Sequence, residues 1–137
     1  MDAKELMIGD CVSVYGQNND ITQKPHWYNR KITADWLVNM EKLDLLNEKL
    51  AKRGIFVGHP QIGDVEPIPL TEEILVANGI NRELPYPCDH VEICHDENGW
   101  FITFCEGYGF DIKYLHELQR ALRCCGLNEL ADNFKVN

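Results

Sequence analysis

"CDHVEICHDENGWFITFC", residues 88–105, decides how this chain is read. It places Cys88, His90, Cys94 and His95 within eight positions and carries two apolar-alternating runs around "HDENG". One reading is a metal site and the other a β-hairpin. Zinc needs ligands converging at about 2.0–2.3 Å, usually from pairs two to four residues apart on a tight turn. In a strand, His90 and Cys94 stand about 13 Å apart, and Cys94 and His95 point to opposite faces. Asn-Gly at 98–99 is the strongest short-range hairpin signal. Alternation then puts Val91, Ile93, Trp100, Ile102 and Phe104 on one face, and His90, Glu92, Cys94, Phe101, Thr103 and Cys105 on the other. The hairpin is the expected structure. The weaker metal alternative is Cys88 and His90 with Cys105 from across the hairpin.

The surrounding segments extend the hairpin into an α+β chain. "GYGFDI" supplies a third strand, making a meander, and its Gly-x-Gly reads as a tight turn because neither a Lys-Ser/Thr nor a helix start follows. "IKYLHELQRALRCCG" has Ile112, Leu115, Leu118, Leu122 and Cys125 along one helical stripe, with His116 at its boundary and Gly126 at its end. "NELADNF" adds a last turn. Upstream, "LTEEILVANGI" is a helix capped by Thr71, stapled by Leu70 on Leu75 and stopped by Gly79, with Ile80 making the contact after the glycine.

The N-terminal half opens with a strand in "ELMIGDCVSVYG", where Met7, Cys11, Val12 and Val14 alternate with small and polar residues. A polar loop leads to a second strand, "HWYNRKI". Thr33 then caps a helix with Trp36, Leu37, Met40, Leu43, Leu46 and Leu50 at helical spacing, running to Gly54 or breaking near Asp44. "GIFVGHPQIGDVEPIPL" is a connector with a short strand at Ile55–Val57, and Pro67 and Pro69 prevent a central strand there. The fold expected is a small bent, SH3-like N-terminal β unit plus an antiparallel meander packed by two or three helices. It forms one compact domain over 1–137, with possible subunits at 1–63 and 64–137.

At 137 residues, 45% hydrophobic and 26% charged, the composition is that of a globular protein able to fold without metal or disulfide. No apolar run approaches a membrane span, and "MDAKELMIGD" has no signal-peptide core, so a cytoplasmic location is expected. The six cysteines are accordingly expected as free thiols. The net charge of −9 falls entirely after residue 60, where 5 Lys and Arg meet 14 Asp and Glu. Such a half repels phosphate backbones, so direct nucleic-acid binding is disfavoured. Its acidity serves solubility, or a surface that meets a basic partner.

Cys94 or Cys105 could pair with a histidine as a nucleophile, but no local nucleophile signature accompanies either. Cys124 and Cys125 are adjacent on a helix, where neighbouring side chains do not face each other. Trp27, Tyr28, Tyr108 and Phe110 are read as core caps, or as a partner surface where exposed together.

"ELMIGDCV", "VEPIPLTEEIL" with its following "NGI", and "IKYLHELQRAL" together resemble a group of small proteins of Bacteroidetes phages, prophages and mobile elements. With the hairpin these stretches cover roughly half the chain; residues 17–63 depart from the group. So do Leu122, Arg123, Cys124 and Cys125, where its members often carry aromatic and small apolar residues. The group has no assigned activity, so the resemblance transfers no functional residue and no cofactor. It implies a setting: a phage or mobile-element accessory protein inside a bacterial cell. The function expected is non-catalytic binding of a protein partner. Its rivals are an acidic modulator of a host nucleic-acid-binding protein and a metal- or thiol-dependent enzyme.

Overall fold

The computed structural model describes residues 5–17, 22–54, 63–84, 90–104 and 109–136. The chain is α+β: two three-stranded antiparallel sheets and four helices among these residues. It divides into two compact units, Met1–Pro67 and Ile68–Val136. No helix among the described residues is long and apolar enough to cross a membrane.

In the first unit, β1 (Cys11–Gly16) lies between β2 (His26–Lys31) and β3 (Val65–Pro67). The strand expected to begin near Met7 begins at Cys11, and Met7 is exposed. The reason is a bulge at Gly9 and Asp10, both opposite Ile32: the Gly9 amide donates to the Ile32 carbonyl and the Ile32 amide to the Asp10 carbonyl, each at 2.8 Å. Gly9 has φ 93°, which only glycine adopts without strain, and the Asp10 carboxylate accepts the Met7 amide at 2.9 Å. The connector contributes β3, which sequence reading missed. Pro67 is tolerated there because β3 is an edge strand. The strand expected at 55–57 lies outside the described residues.

α1 (Ala34–Lys52) runs without a break at Asp44. The Thr33 hydroxyl accepts the Trp36 amide at 3.2 Å, and Gly54 at φ 77° ends the helix. Trp36 packs into the core of Leu6, Val12, Val14, Ile32 and Val65, with Leu37 and Met40 against it. The stripe does not continue as expected, for Leu46 is 52% exposed beside Leu45 and Val38.

In the second unit, β4 (Glu92–Asp96), β5 (Gly99–Thr103) and β6 (Gly109–Ile112) form the expected meander in that order. The hairpin turn sits one residue earlier than expected, on Glu97 and Asn98, since Asp96 pairs with Gly99. The Asp96 carboxylate accepts the Asn98 amide at 2.8 Å, and Gly99 takes φ 118° as the first residue of β5.

α2 (Glu72–Ala77) is capped as expected: the Thr71 hydroxyl accepts the Ile74 amide at 3.3 Å. Gly79 at φ 69° turns the chain so that the Ile80 amide reaches the Leu75 carbonyl at 2.9 Å. α3 (Leu115–Cys124) starts three residues later than its apolar stripe suggested, because Ile112 belongs to β6. The Glu117 carboxylate fixes that start by accepting the Lys113 and Tyr114 amides at 3.3 and 3.2 Å. Leu115, Leu118 and Leu122 are fully buried with Val91, Ile93, Ile102 and Ile112. His116, expected at the boundary, is buried, its ring stacked parallel to Tyr114. α4 (Asn128–Asp132) is held to α3 by the buried Gln119 amide donating to the Ala131 carbonyl at 2.9 Å.

Candidate binding surface

The hairpin divides the soft ligands between its two faces. His95 packs against Trp100 with ring centroids 4.5 Å apart and planes tilted by 30°, while Cys94 points the other way, its Sγ 3.9 Å from the Thr103 hydroxyl. His90 lies in the exposed turn before Val91, and Cys88 and Cys105 fall outside the described residues. Among the described residues, no three or more of His, Cys, Asp and Glu gather where they could hold a metal ion. Cys11, Cys94, Cys124 and Cys125 are free thiols. Cys11 is buried in the first unit, and Cys124 and Cys125 sit at the end of α3.

The face that carries Cys94 has a different character. Directly opposed residues in antiparallel strands project to the same side. The register pairs Glu92 with Thr103, Cys94 with Phe101, Asp96 with Gly99, and Phe101 with Asp111. Phe101 therefore sits half-buried on the central strand, with the exposed carboxylates of Glu92, Asp96 and Asp111 on the flanking strands of one face.

A fourth carboxylate joins them. Glu83 bridges to Glu92 outside the named strands. The hydrogen bonds lie one residue to either side, from the Leu84 amide to the Val91 carbonyl and from the Ile93 amide to the Arg82 carbonyl. Glu83 and Glu92 are thus a non-hydrogen-bonded pair, the arrangement that brings opposed side chains closest. Like charges so placed destabilise a sheet.

The outer edge of the same sheet is formed by β6. Because Ile93 turns its amide toward Arg82, it forms a non-hydrogen-bonded pair with Ile102, whose backbone groups consequently point to β6 and Phe110. Asp111 and Gly109, one step out of phase, turn their amides and carbonyls away from β5. The same phase two residues on is satisfied, since the Lys113 carbonyl accepts the Leu70 amide at 3.0 Å. Chain 68–70 then leaves the edge for α2, and among the described residues no strand pairs with Gly109 or Asp111. Gly109, Phe110 and Asp111 are all exposed. Phe110 is on the core face beside fully buried Ile102, yet is 47% exposed, with Phe104 6.1 Å away.

Of the aromatics expected to cap the core, Tyr28 is half-buried, and Trp27 is 37% exposed with Tyr15 at 5.5 Å in the first unit. Tyr108 lies outside the described residues. The sequence shows this face only in part. Glu92, Asp96 and Phe101 were legible there; Asp111 and Glu83 needed strand registers that only the fold supplies.

No family model, curated protein or solved structure matches the chain.

Proposed function

We propose that this protein is a non-catalytic interaction protein that binds a basic protein partner through the acidic face of the second unit's sheet. The observation carrying this reading is the Glu83–Glu92 pair, two acidic residues directly opposed across the strands, which extends the carboxylates of Glu92, Asp96 and Asp111 around Phe101. An aromatic centre within charged surroundings suits protein recognition, and complementary charge speeds and orients encounter. The same carboxylates repel nucleic acid. The resemblance to phage and mobile-element proteins supports an accessory role in the bacterial cytoplasm. Partners that bind nucleic acid carry basic surfaces of the kind this face would meet. Modulation of such a protein is accordingly the second reading.

The test is binding of the full chain to a lysine-rich peptide and to a glutamate-rich peptide of equal length. Binding should be confined to the lysine peptide and fall with salt. The combined Glu83→Gln, Glu92→Gln and Asp111→Asn variant should weaken it by about tenfold or more. Unchanged affinity in that variant would overturn the reading. One metal per chain, lost on Cys88→Ser, would instead favour the metal-dependent enzyme.

A further inference from the structure

We infer that the partner binds by adding a strand to the outer edge of β6, and that its segment alternates basic and apolar residues. This rests on the acidic face being the binding surface, and it names how that surface is used.

Three observations converge on the edge. Gly109 and Asp111 aim their amides and carbonyls outward, offering backbone hydrogen bonds to an extended segment. Phe110 sits between them with its ring on the core face, still 47% exposed, and continues the apolar row of Ile93 and Ile102 beyond the sheet. Asp111 projects to the other face, in line with Phe101 and the remaining carboxylates. Exposed edges invite pairing, and folded proteins commonly cover or charge them. The charge here is acidic, so two β6 edges repel each other, which disfavours a second copy of this chain and favours a basic segment.

The register fixes the pattern. A partner residue opposite Asp111 hydrogen-bonds to it and places its side chain on the acidic face, so that residue is Lys or Arg. The next partner residue lies opposite Phe110, turns its backbone away from β6 and presents an apolar side chain to the ring. The residue opposite Gly109 is again basic.

The experiment uses the full chain and four short peptides of lysine and valine. One alternates the two residues; one has the same composition in blocks; two are the alternating peptide N-methylated at its lysines or at its valines. The alternating peptide should bind about tenfold tighter than the block peptide. Methylation at lysine should abolish the gain, since those amides face β6, and methylation at valine should preserve it. The Gly109 and Asp111 amides should slow in hydrogen exchange only with the peptides that retain the gain. Equal binding of all four would overturn strand addition while leaving the acidic face as a basic-peptide site. Binding of none would overturn both.

Discussion

Glu83 and Glu92 stand directly opposite each other as a non-hydrogen-bonded antiparallel pair, the closest cross-strand arrangement the sheet provides. If the pair serves binding, stability and affinity should move in opposite directions when it is relieved. Glu92→Gln should raise unfolding free energy by about 0.2–1 kcal/mol, the usual size of a cross-strand pair term, while weakening lysine-peptide binding. Urea denaturation beside a binding titration checks both halves. A stability loss would mean that Glu92 makes a contact the like-charge argument omits.

Asn78 joins the end of α2 to the C-terminal segment. Its amide nitrogen donates to the Lys135 carbonyl at 3.2 Å, and its carbonyl oxygen accepts the Lys135 amide at 2.6 Å. The same nitrogen also reaches the Ile74 carbonyl at 2.9 Å. Asn78→Ala removes all three bonds and should cost about 1–3 kcal/mol. The Lys135 amide should lose hydrogen-exchange protection in that variant, whereas Lys135→Ala, which retains the backbone groups, should be close to neutral.

The "EPIPLTEEIL" segment should behave as a mechanical device. Thr71→Ala removes the cap on the Ile74 amide and should cost about 0.5–2 kcal/mol. Leu75→Ala empties a buried position and should cost about 2–5 kcal/mol. Glu72→Gln and Glu73→Gln, at the exposed first turn, should each cost only about 0.3 kcal/mol. Loss of partner binding in either glutamine variant, at an unchanged denaturation midpoint, would make the segment a recognition surface.

Local chemistry explains which parts of this fold could be read from the sequence. Thr33, Thr71, Gly54, Gly79 and Gly126 act on their own neighbours, and their helix ends fell where those residues require. The hairpin was legible because period-2 alternation and a glycine after the turn are both local signals. What failed depended on distant partners. Ile112 fits the stripe of α3 as well as it fits a strand, and pairing with Trp100 decides between them. Likewise, β3 exists only because β1 offers an edge to Val65–Pro67. The acidic face was only partly legible for the same reason, since Glu83 and Asp111 come from segments that meet β4 and β5 only in the folded sheet.

α1 tests the limit of periodicity. Trp36 is buried in the first unit's core, whereas Leu46, on the same nominal stripe, is largely exposed. Trp36→Ala should cost about 3–5 kcal/mol. Leu46→Ala should stay within about 0.5 kcal/mol, as substitutions on an open surface do. Equal penalties would show that Leu46 is covered in solution.

Gly109 gives the sharpest test of the β6 edge. Its φ is not the left-handed kind that demands glycine; the constraint is space, because a Cβ there would run into the backbone carbonyl oxygen of Ile102. That oxygen belongs to the central strand and cannot swing aside as a side chain would. Gly109→Ala should therefore push β6 away from β5 and cost about 1–3 kcal/mol, the range for overpacked sites. Gly54→Ala is the control: nothing crowds its Cβ, and its φ of 77° should cost about 1–2 kcal/mol through the backbone alone. The two variants should also differ in kind. Gly109→Ala should shift the amide resonances of Phe110 and Asp111 and weaken the alternating peptide, whereas Gly54→Ala should leave both unchanged. Peptide binding that survives a displaced β6 would separate the acidic face from the edge and place the contact on Glu83, Glu92, Asp96 and Phe101.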